Sequence, residues 1–594
     1  MRITRRQLLQ AGAVAGAGLL ASPGSPAAAA RAPAAGQQAM FTEQLPTMDE
    51  LGVLDMQGGG STSLWVRNAC HRFQEQMGLT DTLAYQEAGS SRTYLGPVII
   101  ARKGTPFELT VHNRVERHPL AFAIDSELVP HGSNDAKRPR MSVHLHGGNT
   151  SPRSDGGPDR AFGPGASYTY RYANNQDAAG LWYHDHALGM TRLSVYAGLA
   201  GGYLLRDTPG PGGSGIDTGD GTYLPPPPYE VPLIIQDRMF HLDGSFAYPP
   251  NPDLTGPDGG PRPWAPEFFG DVATVNGKCW PNLDVARGKY RFRIVNGSNA
   301  RFYDLKFGAG GQAVPFHQIG SDGGLLDAPV RLNRLVLGPA ERADIVVDFA
   351  GLKAGSRVIL ANSAPVPYPD GPESVQRGGL PLPQIMQFTV QGNSGYTTPL
   401  PARLRSRPLT RLVELPTVAT RSMALVEVAN ADDVPTMALI NNRMFDSPDV
   451  TVVKMDTLEQ WELINTTEDA HPIHLHFTQF QLLNRQKFDA GAYLEATGYV
   501  NPATGLVTPG RGSAVSVKPF LTGRPKDAPA NEQGWKDTVV AFPGEVTRIR
   551  VPFGAAAAGG LPLAIGSSFK GEYVWHCHIL EHEDNDMMQR YVIE

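Results

Sequence analysis

The chain has 594 residues, with 52 basic and 58 acidic side chains and a formal net charge of −6. This length allows three or four domains of about 150 residues, and the mild acidity, without a long Lys/Arg run, gives no reason to expect a nucleic-acid surface. Its three cysteines exclude a disulfide scaffold, a cysteine-rich zinc site and an iron–sulfur cluster.

The first 35 residues have the layout of an export signal. Arg5 and Arg6 precede an apolar run over residues 8–21, and small residues follow around 27–32, an order that is typical of a secretory signal peptide. The run is shorter than the roughly 20 residues of a bilayer span, and we expect no membrane span elsewhere. The paired arginines favour a twin-arginine signal and its export machinery over an ordinary secretory signal. We therefore expect an exported protein, extracellular or periplasmic.

Short alternations of apolar and polar residues run through the rest of the chain, for example at 107–112, 168–172, 290–295 and 546–551. Period-two alternation bounded by Gly, Pro, Asn and Asp predicts strands. The 66 glycines and 51 prolines predict many turns. The sequence therefore predicts an all-β protein, mostly antiparallel, built from sandwiches or barrels.

Two stretches rich in Gly, Pro, Ser and Thr, at 208–228 and 393–415, divide the chain. Neither composition suits a packed element, so both are predicted linkers. The predicted domains, separated by these linkers, are 40–207, 229–392 and 416–594. A polar segment over 489–534 is expected to leave the third domain as a long loop and to line a site.

Ten of the sixteen histidines fall in four short clusters. In chain order these are His144 and His146; His184 and His186; His471, His474 and His476; and His576, His578 and His582. In a strand, residues i and i+2 point to one face, so each His-x-His pair directs two imidazoles to one point. One pair is compatible with ordinary buried or surface histidines, but four clusters in one chain predict metal binding.

Sulfur ligands near the last cluster indicate the metal. Cys577 is followed by His582 and then by Met587, and His471 comes from an earlier strand. Two imidazoles, one thiolate and a weak thioether describe a blue-copper site that transfers electrons. The alternative for Met587 is a buried hydrophobic residue beside Met588.

The other eight clustered histidines form four His-x-His pairs, which are too many for one metal ion and suit a cluster of three copper ions. His576 and His578 flank Cys577, so on a strand their side chains point away from its sulfur. The peptide links on either side of Cys577 would then join the blue copper to the cluster. Such an arrangement collects single electrons at one site and delivers four of them to dioxygen at the other.

These motifs resemble those of the multicopper oxidases. The resemblance rests on VHLHGG at 143–148, WYHDH at 182–186, HPIHLH at 471–476 and WHCHILEHEDNDMM at 575–588. The last motif, together with HDHALGMTRL at 184–193, is most similar to bacterial spore-coat laccases and to bilirubin-oxidase-like and phenoxazinone-synthase-like members. Weaker stretches, such as GPAERADIVVDF at 338–349, extend the resemblance over most of the chain.

The resemblance implies four copper ions with a defined ligand set. It implies a type 1 copper held by His471, Cys577 and His582 with Met587 axial, and a type 2 copper held by His144 and His474. The implied ligands of the two type 3 ions are His146, His184, His186, His476, His576 and His578. It also implies three cupredoxin-like, Greek-key β-sandwich domains, with the type 1 copper in the third and the cluster between the first and third.

Two carboxylates are candidates for delivering the protons that dioxygen reduction consumes. Glu583 directly follows a predicted copper ligand, and Asp155 follows the first histidine pair in the segment SerAspGlyGly. Both resemble positions assigned to proton delivery in the spore-coat relatives. The alternatives are a solvated surface carboxylate for Glu583 and a turn residue for Asp155.

The sequence thus predicts a laccase-like oxidase that takes single electrons from phenols, aromatic amines or bilirubin-like pigments and reduces dioxygen to water. The alternatives are a cuprous or ferrous metallo-oxidase and, in a different class, a non-enzymatic cupredoxin-like electron carrier or scaffold. The fifteen methionines are scattered, without the methionine-rich segment that cuprous oxidases carry. We expect a monomer, and the sequence leaves open whether Cys70 and Cys279 pair.

Overall fold

The computed structural model describes residues 39–208, 215–371, 380–554 and 569–594, and the predicted export signal at 1–35 lies outside them. Strands dominate the described residues, which confirms the all-β class. The α-helices in these ranges are short: α1 (Met48–Leu51), α2 (Thr191–Ala197), α3 (Ala490–Thr497) and α4 (Leu580–Asp584). None of these described helices has the length and apolar character needed to cross a membrane.

The first unit is a pair of sheets. Its strands are β1 (Val53–Asp55), β2 (Gly60–His71), β3 (Thr80–Gln86), β4 (Val98–Arg102), β5 (Phe107–Asn113), β6 (Val143–His146), β7 (Ser167–Tyr172), β8 (Ala179–Asp185) and β9 (Ala200–Arg206). One sheet has the order β1-β4-β9-β8-β6 and the other β3-β2-β5-β7. In β5 every second residue is buried, including Phe107, Leu109 and Val111, because one face of the strand joins the core.

The second unit is a larger pair of sheets with a small hairpin. Its strands are β10 (Glu230–Arg238), β11 (Asn251–Thr255), β12 (Pro261–Arg262), β13 (Val272–Val275), β14 (Lys278–Cys279), β15 (Asn282–Arg287), β16 (Lys289–Asn296), β17 (Tyr303–Ala309), β18 (Gln312–Ala313), β19 (Phe316–Ser321), β20 (Gly324–Leu332), β21 (Leu335–Leu337), β22 (Arg342–Asp348), β23 (Arg357–Asn362) and β24 (Gln384–Ser394). The sheet orders are β14-β13-β10-β16-β22-β19-β20 and β15-β24-β23-β17-β18, with β21 against β17. The end of β24 at Ser394 lies two residues beyond the predicted boundary at 392.

The third unit carries most of the predicted copper ligands. Its strands are β25 (Ala419–Ala429), β26 (Pro435–Ile440), β27 (Thr451–Val453), β28 (Thr457–Asn465), β29 (His471–Leu475), β30 (Gln481–Lys487), β31 (Lys526–Asp527), β32 (Thr538–Ala541), β33 (Glu545–Phe553), β34 (Gly571–Cys577) and β35 (Met588–Ile593). The sheet orders are β26-β25-β28-β33-β30-β31 and β27-β35-β34-β29-β32.

Most strand pairs are antiparallel, but a parallel pair recurs at the same place in every unit. β2 pairs with β5, β10 with β16, and β25 with β28 in parallel. In each case the chain forms a neighbouring strand, then a strand of the other sheet, and then the parallel partner beside the first strand. A parallel pair needs such a crossover connection. The three units are therefore variants of one Greek-key sandwich.

The first and second units share one continuous hydrophobic core, to which Leu64 and Tyr183 of the first and Ile294 of the second belong. The third unit has a core of its own around Trp461 and Trp575. Buried apolar area dominates stability. The packing of shared core side chains therefore holds the first two units together, just as it holds the sheets within each unit.

A buried ion network fixes the linker between the first and second units. Asp217 of the linker pairs with Arg291 and Arg293 of β16 at 2.8 Å each. Glu230 pairs with Arg206 at 2.5 Å and with Arg293 at 2.9 Å. Burying several charges costs stability unless each has a partner. The pairing therefore explains how a polar linker lies inside the molecule.

Glu230→Gln should lower the apparent melting temperature most at neutral pH. Burial would raise the pKa of Glu230, but Arg206, Arg293 and Arg291 outweigh it and lower that pKa from 4.5 to about 2. The carboxylate therefore stabilises the fold above pH 4.5, and this contribution is lost as the pH falls towards 2. Breaking a buried pair costs about 3–5 kcal/mol, so wild-type and variant melting temperatures should converge in acid. Glu127→Gln, at a 58% exposed side chain, is the control, and a gap that stays constant with pH would contradict the prediction.

Residues 489–517 pack on the third unit instead of leaving it as a loop, and the expected site-lining role of the 489–534 segment stays a prediction. Tyr493 and Tyr499 form a small cluster with Val426 of β25. The neighbouring residue Leu425 points to the opposite face and belongs to the main core of the third unit. The segment therefore covers the outer face of the six-stranded sheet, where apolar strand residues would otherwise meet water.

The three cysteines are free thiols. Cys70 is exposed on β2, whereas Cys279 and Cys577 are buried. The pairing of Cys70 with Cys279, which the sequence left open, is therefore not made in this structure.

Candidate metal centres

All twelve predicted copper ligands lie in the interior. The ten histidines, Cys577 and Met587 are each at most 1% exposed. They lie on or directly after β6 and β8 in the first unit, on or directly after β29 and β34 in the third, and in or just after α4. The second unit contributes none of them.

Strand register brings the histidine pairs of each unit side by side. In the first unit β6 pairs with β8 so that His144 is opposite His184. In the third unit β29 pairs with β34 so that His474 is opposite His576. Because alternate residues of a strand share a face, the His-x-His pairs of each sheet project from the same side.

The histidines of the first and third units meet ring against ring. The imidazole of His144 stacks on that of His476 with centroids 3.7 Å apart, and His146 stacks on His474 at 3.6 Å. Residues far apart in the chain are therefore neighbours, and the eight His-x-His imidazoles form one cluster between the two units.

One pair and one trio of rings have nitrogens in close approach. The pair is His144 and His474, whose Nε2 atoms are 3.3 Å apart. The trio is His186, His476 and His576. Nε2 of His576 lies 3.3 Å from Nε2 of His186 and 3.1 Å from Nε2 of His476.

A second trio consists of His146, His184 and His578, with ring centroids 5.0–5.7 Å apart. Nδ1 of His146, Nε2 of His184 and both ring nitrogens of His578 have no hydrogen-bond partner among the described residues. Buried polar atoms are rarely left unpaired. A neutral His578 carries a proton on one of its two nitrogens, so the other one, with Nδ1 of His146 and Nε2 of His184, indicates a bound group that takes up lone pairs.

Hydrogen bonds on the far side of the rings determine which nitrogen carries the proton. Nδ1 of His144 donates to the carbonyl oxygen of Asp155 (2.6 Å), and Nδ1 of His474 donates to that of Asp537 (2.9 Å). A neutral imidazole has one N–H only, so both Nε2 atoms present bare lone pairs to each other. Such an approach is repulsive unless a cation lies between the nitrogens.

The same arrangement recurs in the first trio. Nδ1 of His476 donates to Oδ2 of Asp155 (2.7 Å), and Nδ1 of His576 donates to the carbonyl oxygen of Cys577 (3.1 Å). Their facing Nε2 atoms are therefore also unprotonated. Neutral imidazole is the form of histidine that binds metals, so the residues of this cluster fit bound metal ions.

Burial keeps these imidazoles neutral. It lowers the pKa of His186 to about 4, although the nearby Glu583 carboxylate opposes the shift. The pKa values of His144, His476 and His576 lie well below 6.5, first because of burial and then because of neighbouring histidines. At neutral pH the nitrogens of these rings are therefore available to metal ions.

Cys577, His471 and His582 form a separate buried group. Sγ of Cys577 is 3.6 Å from Nδ1 of His471 and 3.8 Å from Nδ1 of His582. Nε2 of His471 contacts the hydroxyl of Thr467 at 2.7 Å, which turns Nδ1 towards the sulfur. The N–H of Ile579 also donates to this sulfur, at 3.4 Å. A soft sulfur with two imidazoles fits copper.

Met587 lies beside this group, in the turn that follows α4. The N–H of Cys577 donates to the carbonyl oxygen of Met587 (2.9 Å), and the N–H of Met587 donates to that of His582 (2.9 Å). The Met587 side chain belongs to the hydrophobic core that contains Cys577. Its burial therefore agrees with both interpretations, an axial ligand and a packed hydrophobic residue.

Both predicted proton carriers are buried and contact the histidine cluster. Burial raises the pKa of Asp155 to about 8, despite a hydrogen bond from Thr150. Oε2 of Glu583 is 3.1 Å from Nδ1 of His576, and its Oε1 is 3.5 Å from Nε2 of His186. Burial raises the pKa of Glu583 as well. With 1% of its surface exposed, Glu583 is not a solvated surface carboxylate.

Asp537 and Thr538 complete the surroundings of His146, and neither was predicted. Oδ1 of Asp537 lies 3.1 Å and the hydroxyl of Thr538 3.0 Å from Nε2 of His146. Burial would raise the pKa of Asp537, but the guanidinium of Arg342 outweighs it and holds that pKa well below its usual range. No spacing links these residues to His146, and the only signal was that Arg342 lies in the family-like stretch at 338–349.

Comparisons with known proteins agree with this geometry. Two models of the multicopper oxidase family match the chain, at residues 125–210 and 417–594. The chain is 37% identical to a laccase of Bacillus subtilis, over 84% of this chain and 89% of that protein. It is 34% identical to the multicopper oxidase LPR1 of Arabidopsis thaliana, over 93% of each.

A solved structure extends the agreement to the whole fold. The crystal structure of the McoA multicopper oxidase from Aquifex aeolicus superposes with a TM-score of 0.68 at 25% identity, covering 94% of this chain and 100% of that one. The fold, the buried histidine and cysteine groups and the similar proteins all indicate the same family. The chain belongs to the multicopper oxidase family and is an oxidoreductase.

Proposed function

We propose that this protein is a laccase-like oxidase with four copper ions. Bound copper would accept single electrons at a type 1 site and supply four of them to dioxygen at a three-copper cluster, which yields water. His471, Cys577 and His582 would hold the type 1 copper, with Met587 as a weak fourth ligand. The pair and the two trios of histidines would hold the type 2 copper and the two type 3 ions. The observation that carries the proposal is the set of buried, unprotonated nitrogens facing one another in the cluster.

Cys577 links the two proposed sites through its own backbone. Its sulfur faces His471 and His582, while His576 and His578, its neighbours in the chain, belong to the cluster. Burial raises the pKa of the Cys577 thiol well above its usual range, so its thiolate needs a cation beside it. The residue therefore both binds metal and connects the sites by the shortest covalent route.

The first candidate reductant is a small aromatic molecule. The proposed copper ligands are at most 1% exposed, so the reductant meets the protein surface and not the metal. Transfer of an electron without a bond to the metal makes few demands on the shape of the donor. This suits phenols, aromatic amines and bilirubin-like pigments, and the relatives named laccase support this class.

A cuprous or ferrous ion is the second candidate reductant. Its support is a pair of carboxylates, Glu267 of the second unit and Glu427 of β25, whose negative charges reach Cys577 and add to the rise in its pKa. Along β25, Glu427 continues the row of Leu425, which faces the core that contains Cys577. Carboxylates whose negative charge reaches the Cys577 sulfur attract a cation and not a neutral phenol.

Copper analysis and a reductant screen test these proposals. An oxidase should hold four copper ions per chain, whereas an electron carrier would hold one and a scaffold none. The screen compares phenols, o-aminophenols, bilirubin, Cu(I) and Fe(II) under air. If metal ions are the reductants, Glu267→Gln and Glu427→Gln should raise KM for them and leave phenol oxidation unchanged. If Cu(I) or Fe(II) is oxidised and none of the aromatic compounds is, a metal ion and not an aromatic molecule is the reductant.

Met587→Leu should leave a blue, active enzyme with a raised type 1 reduction potential. A thioether donates weakly to copper and stabilises its oxidised state. An alkyl group cannot donate, so the reduced state becomes more stable relative to the oxidised state and the potential rises. A redox titration of the blue band measures the shift. Met588→Leu, at the next residue and equally buried, is the matched control. An unchanged or lowered potential in Met587→Leu would show that Met587 only fills space.

Export also remains a proposal, supported by the basic, apolar and small residues of 1–35. Lysine substitutions of Arg5 and Arg6 together should retain the protein in the cytoplasm if the twin-arginine route is used. Fractionation of the host cells with an antibody to the protein gives the result, and unchanged export would indicate an ordinary secretory signal.

A further inference from the structure

The family-like stretch at 338–349 has no role in the proposed sites, yet it reaches them. Glu341 and Arg342 enter β22 of the second unit opposite Lys536 and Asp537, which precede β32 of the third. Lys536 pairs with Glu341 at 3.0 Å, and Nη1 of Arg342 donates to Oδ1 of Asp537 at 2.6 Å. Two adjacent residues of the second unit thus form ion pairs with two adjacent residues of the third unit.

The Arg342–Asp537 pair is bidentate and buried. A second guanidinium nitrogen of Arg342 bonds to Oδ2 of Asp537, and the two side chains are 3% and 1% exposed. The backbone carbonyl oxygens of Asp322 and Ala340 accept further hydrogen bonds from the same guanidinium at 3.1 Å and 3.2 Å. Because the planar guanidinium of Arg342 is itself fixed by these hydrogen bonds, its two bonds to Asp537 restrict the carboxylate to one orientation.

Asp537 in turn contacts two histidines of the cluster through different nitrogens. Its carboxylate meets Nε2 of His146 at 3.1 Å, which leaves Nδ1 of His146 buried and without a hydrogen-bond partner in the described part of the chain. Its carbonyl oxygen accepts from Nδ1 of His474 at 2.9 Å, which leaves Nε2 of that ring open. One residue thus determines which nitrogen each of these two imidazoles offers to a metal ion.

We propose that Arg342 is a positioning residue for the trinuclear copper cluster, acting through Asp537. The second unit supplies no copper ligand, but through this arginine it fixes the Asp537 carboxylate that contacts His146 of the first unit, in the residue whose backbone holds His474 of the third. The inference rests on the proposed function, because it assigns the two histidines as copper ligands. It gives the stretch at 338–349 a role in metal retention.

The residue after the first histidine pair supports this role independently. Gly147 has φ +81, and a Cβ built there would lie 2.5 Å from Oδ2 of Asp537 and 2.6 Å from Nη2 of Arg342. The backbone of the first unit thus passes so close to the pair that only glycine fits. All three units therefore meet at this ion pair, beside the cluster.

The first test compares Arg342→Gln with Arg301→Gln. Arg301 is an equally buried arginine of the second unit, paired to Asp237 at 2.9 Å, with no contact to the cluster among the described residues. Copper-loaded wild type and variants are titrated with a chelator, and the type 2 EPR signal and the type 3 absorption are followed against the type 1 blue band. Changing a residue that orients a metal ligand typically costs 10–100-fold in metal affinity.

We expect Arg342→Gln to release cluster copper at 10–100-fold lower chelator concentration while the type 1 band persists, and Arg301→Gln to match wild type. Arg342→Lys keeps the charge but not the fork, so it should fall between the two. Equal retention in Arg342→Gln and wild type, or equal loss in Arg301→Gln, would overturn the inference. Absence of type 2 and type 3 signals from wild type would instead refute the proposed function.

A second variant keeps the inference testable if Arg342→Gln does not fold. Gly147→Ala retains every charge but drives Asp537 and Arg342 apart, so it should show the same selective loss of cluster copper. Gly132→Ala is its matched control, because Gly132 has the same φ of +81 and nothing within 4 Å of an added Cβ. Equal copper retention in the two alanine variants would overturn the inference.

Discussion

Cys577→Ser should give a colourless protein that no longer oxidises any reductant. The blue colour of such sites comes from the bond between copper and a thiolate, and a serine hydroxyl is neither soft nor ionised at neutral pH. Sγ of Cys577 is the sulfur that faces Nδ1 of both His471 and His582. Activity should fall to background for phenols and for metal ions alike, because both would deliver electrons at this site.

The fold and the trinuclear copper should survive this substitution. The histidines of the cluster keep their hydrogen-bond partners, so copper analysis should find about three ions per chain and an unchanged type 2 signal. Cys279→Ser is the matched control, because Cys279 is equally buried but lies in the second unit, and it should stay blue and active. A Cys577→Ser protein that remains blue would refute the assignment of the type 1 site.

Local patterns in the sequence predict most of what is local in the structure. Alternation at 107–112 gives both the presence of β5 and its buried face, because period two is a property of the strand itself. For the same reason His144 and His146 are correctly expected to share a face. The all-β class follows from many such segments together with the abundance of turn-forming residues.

Contacts between units do not follow from local patterns. The stacking of His146 on His474 depends on how two sandwiches pack, and spacing along the chain carries no such information. Spacing grouped the eight histidines into one predicted cluster, but the resemblance to a known family, and not periodicity, divided them between the type 2 and type 3 ions. Alternation likewise cannot tell a parallel neighbour from an antiparallel one, so the recurring parallel pairs were not expected.

Polar contacts with a single partner are the hardest to predict. Asp537 and Arg342 belong to different units, and each looks in the sequence like an ordinary charged residue at the start of a strand. Their importance comes from burial and from their contact with His146, both of which are properties of the folded chain. The 489–517 segment misled for a related reason: its polar composition suggests an exposed loop, whereas a few aromatic residues such as Tyr493 anchor it.

Glu583→Gln should separate electron entry from proton supply. Glutamine keeps the size of the side chain beside His576 and His186 but cannot take up or release a proton. Reduction of the type 1 copper by a phenol without oxygen should stay near the wild-type rate, because His471, Cys577 and His582 are untouched. Steady-state turnover under air should fall by about 10²-fold, the usual contribution of one positioned acid–base group.

The copper content of Glu583→Gln decides how a loss of turnover is read. Intact copper with reduced turnover supports proton delivery, whereas lost cluster copper would mean that Glu583 orients His576 or His186. Glu581→Gln, two residues earlier and equally buried but bonded to Tyr248 and Asn299, is the control and should not reproduce the defect. Unchanged turnover in Glu583→Gln with full copper would make Glu583 a bystander.

The double variant with Asp155→Asn tests whether both carboxylates serve one proton path. Asp155 contacts His476, and Glu583 contacts the neighbouring His576, so the two side chains border one trio of the cluster from different sides. If protons pass both residues in series, blocking either one already limits turnover. The fold-loss of turnover in the double variant is then well below the product of the two single fold-losses. If each residue supplies protons independently, the losses multiply. Stopped-flow reoxidation of the fully reduced enzyme by dioxygen measures this directly, because electron entry is then already complete.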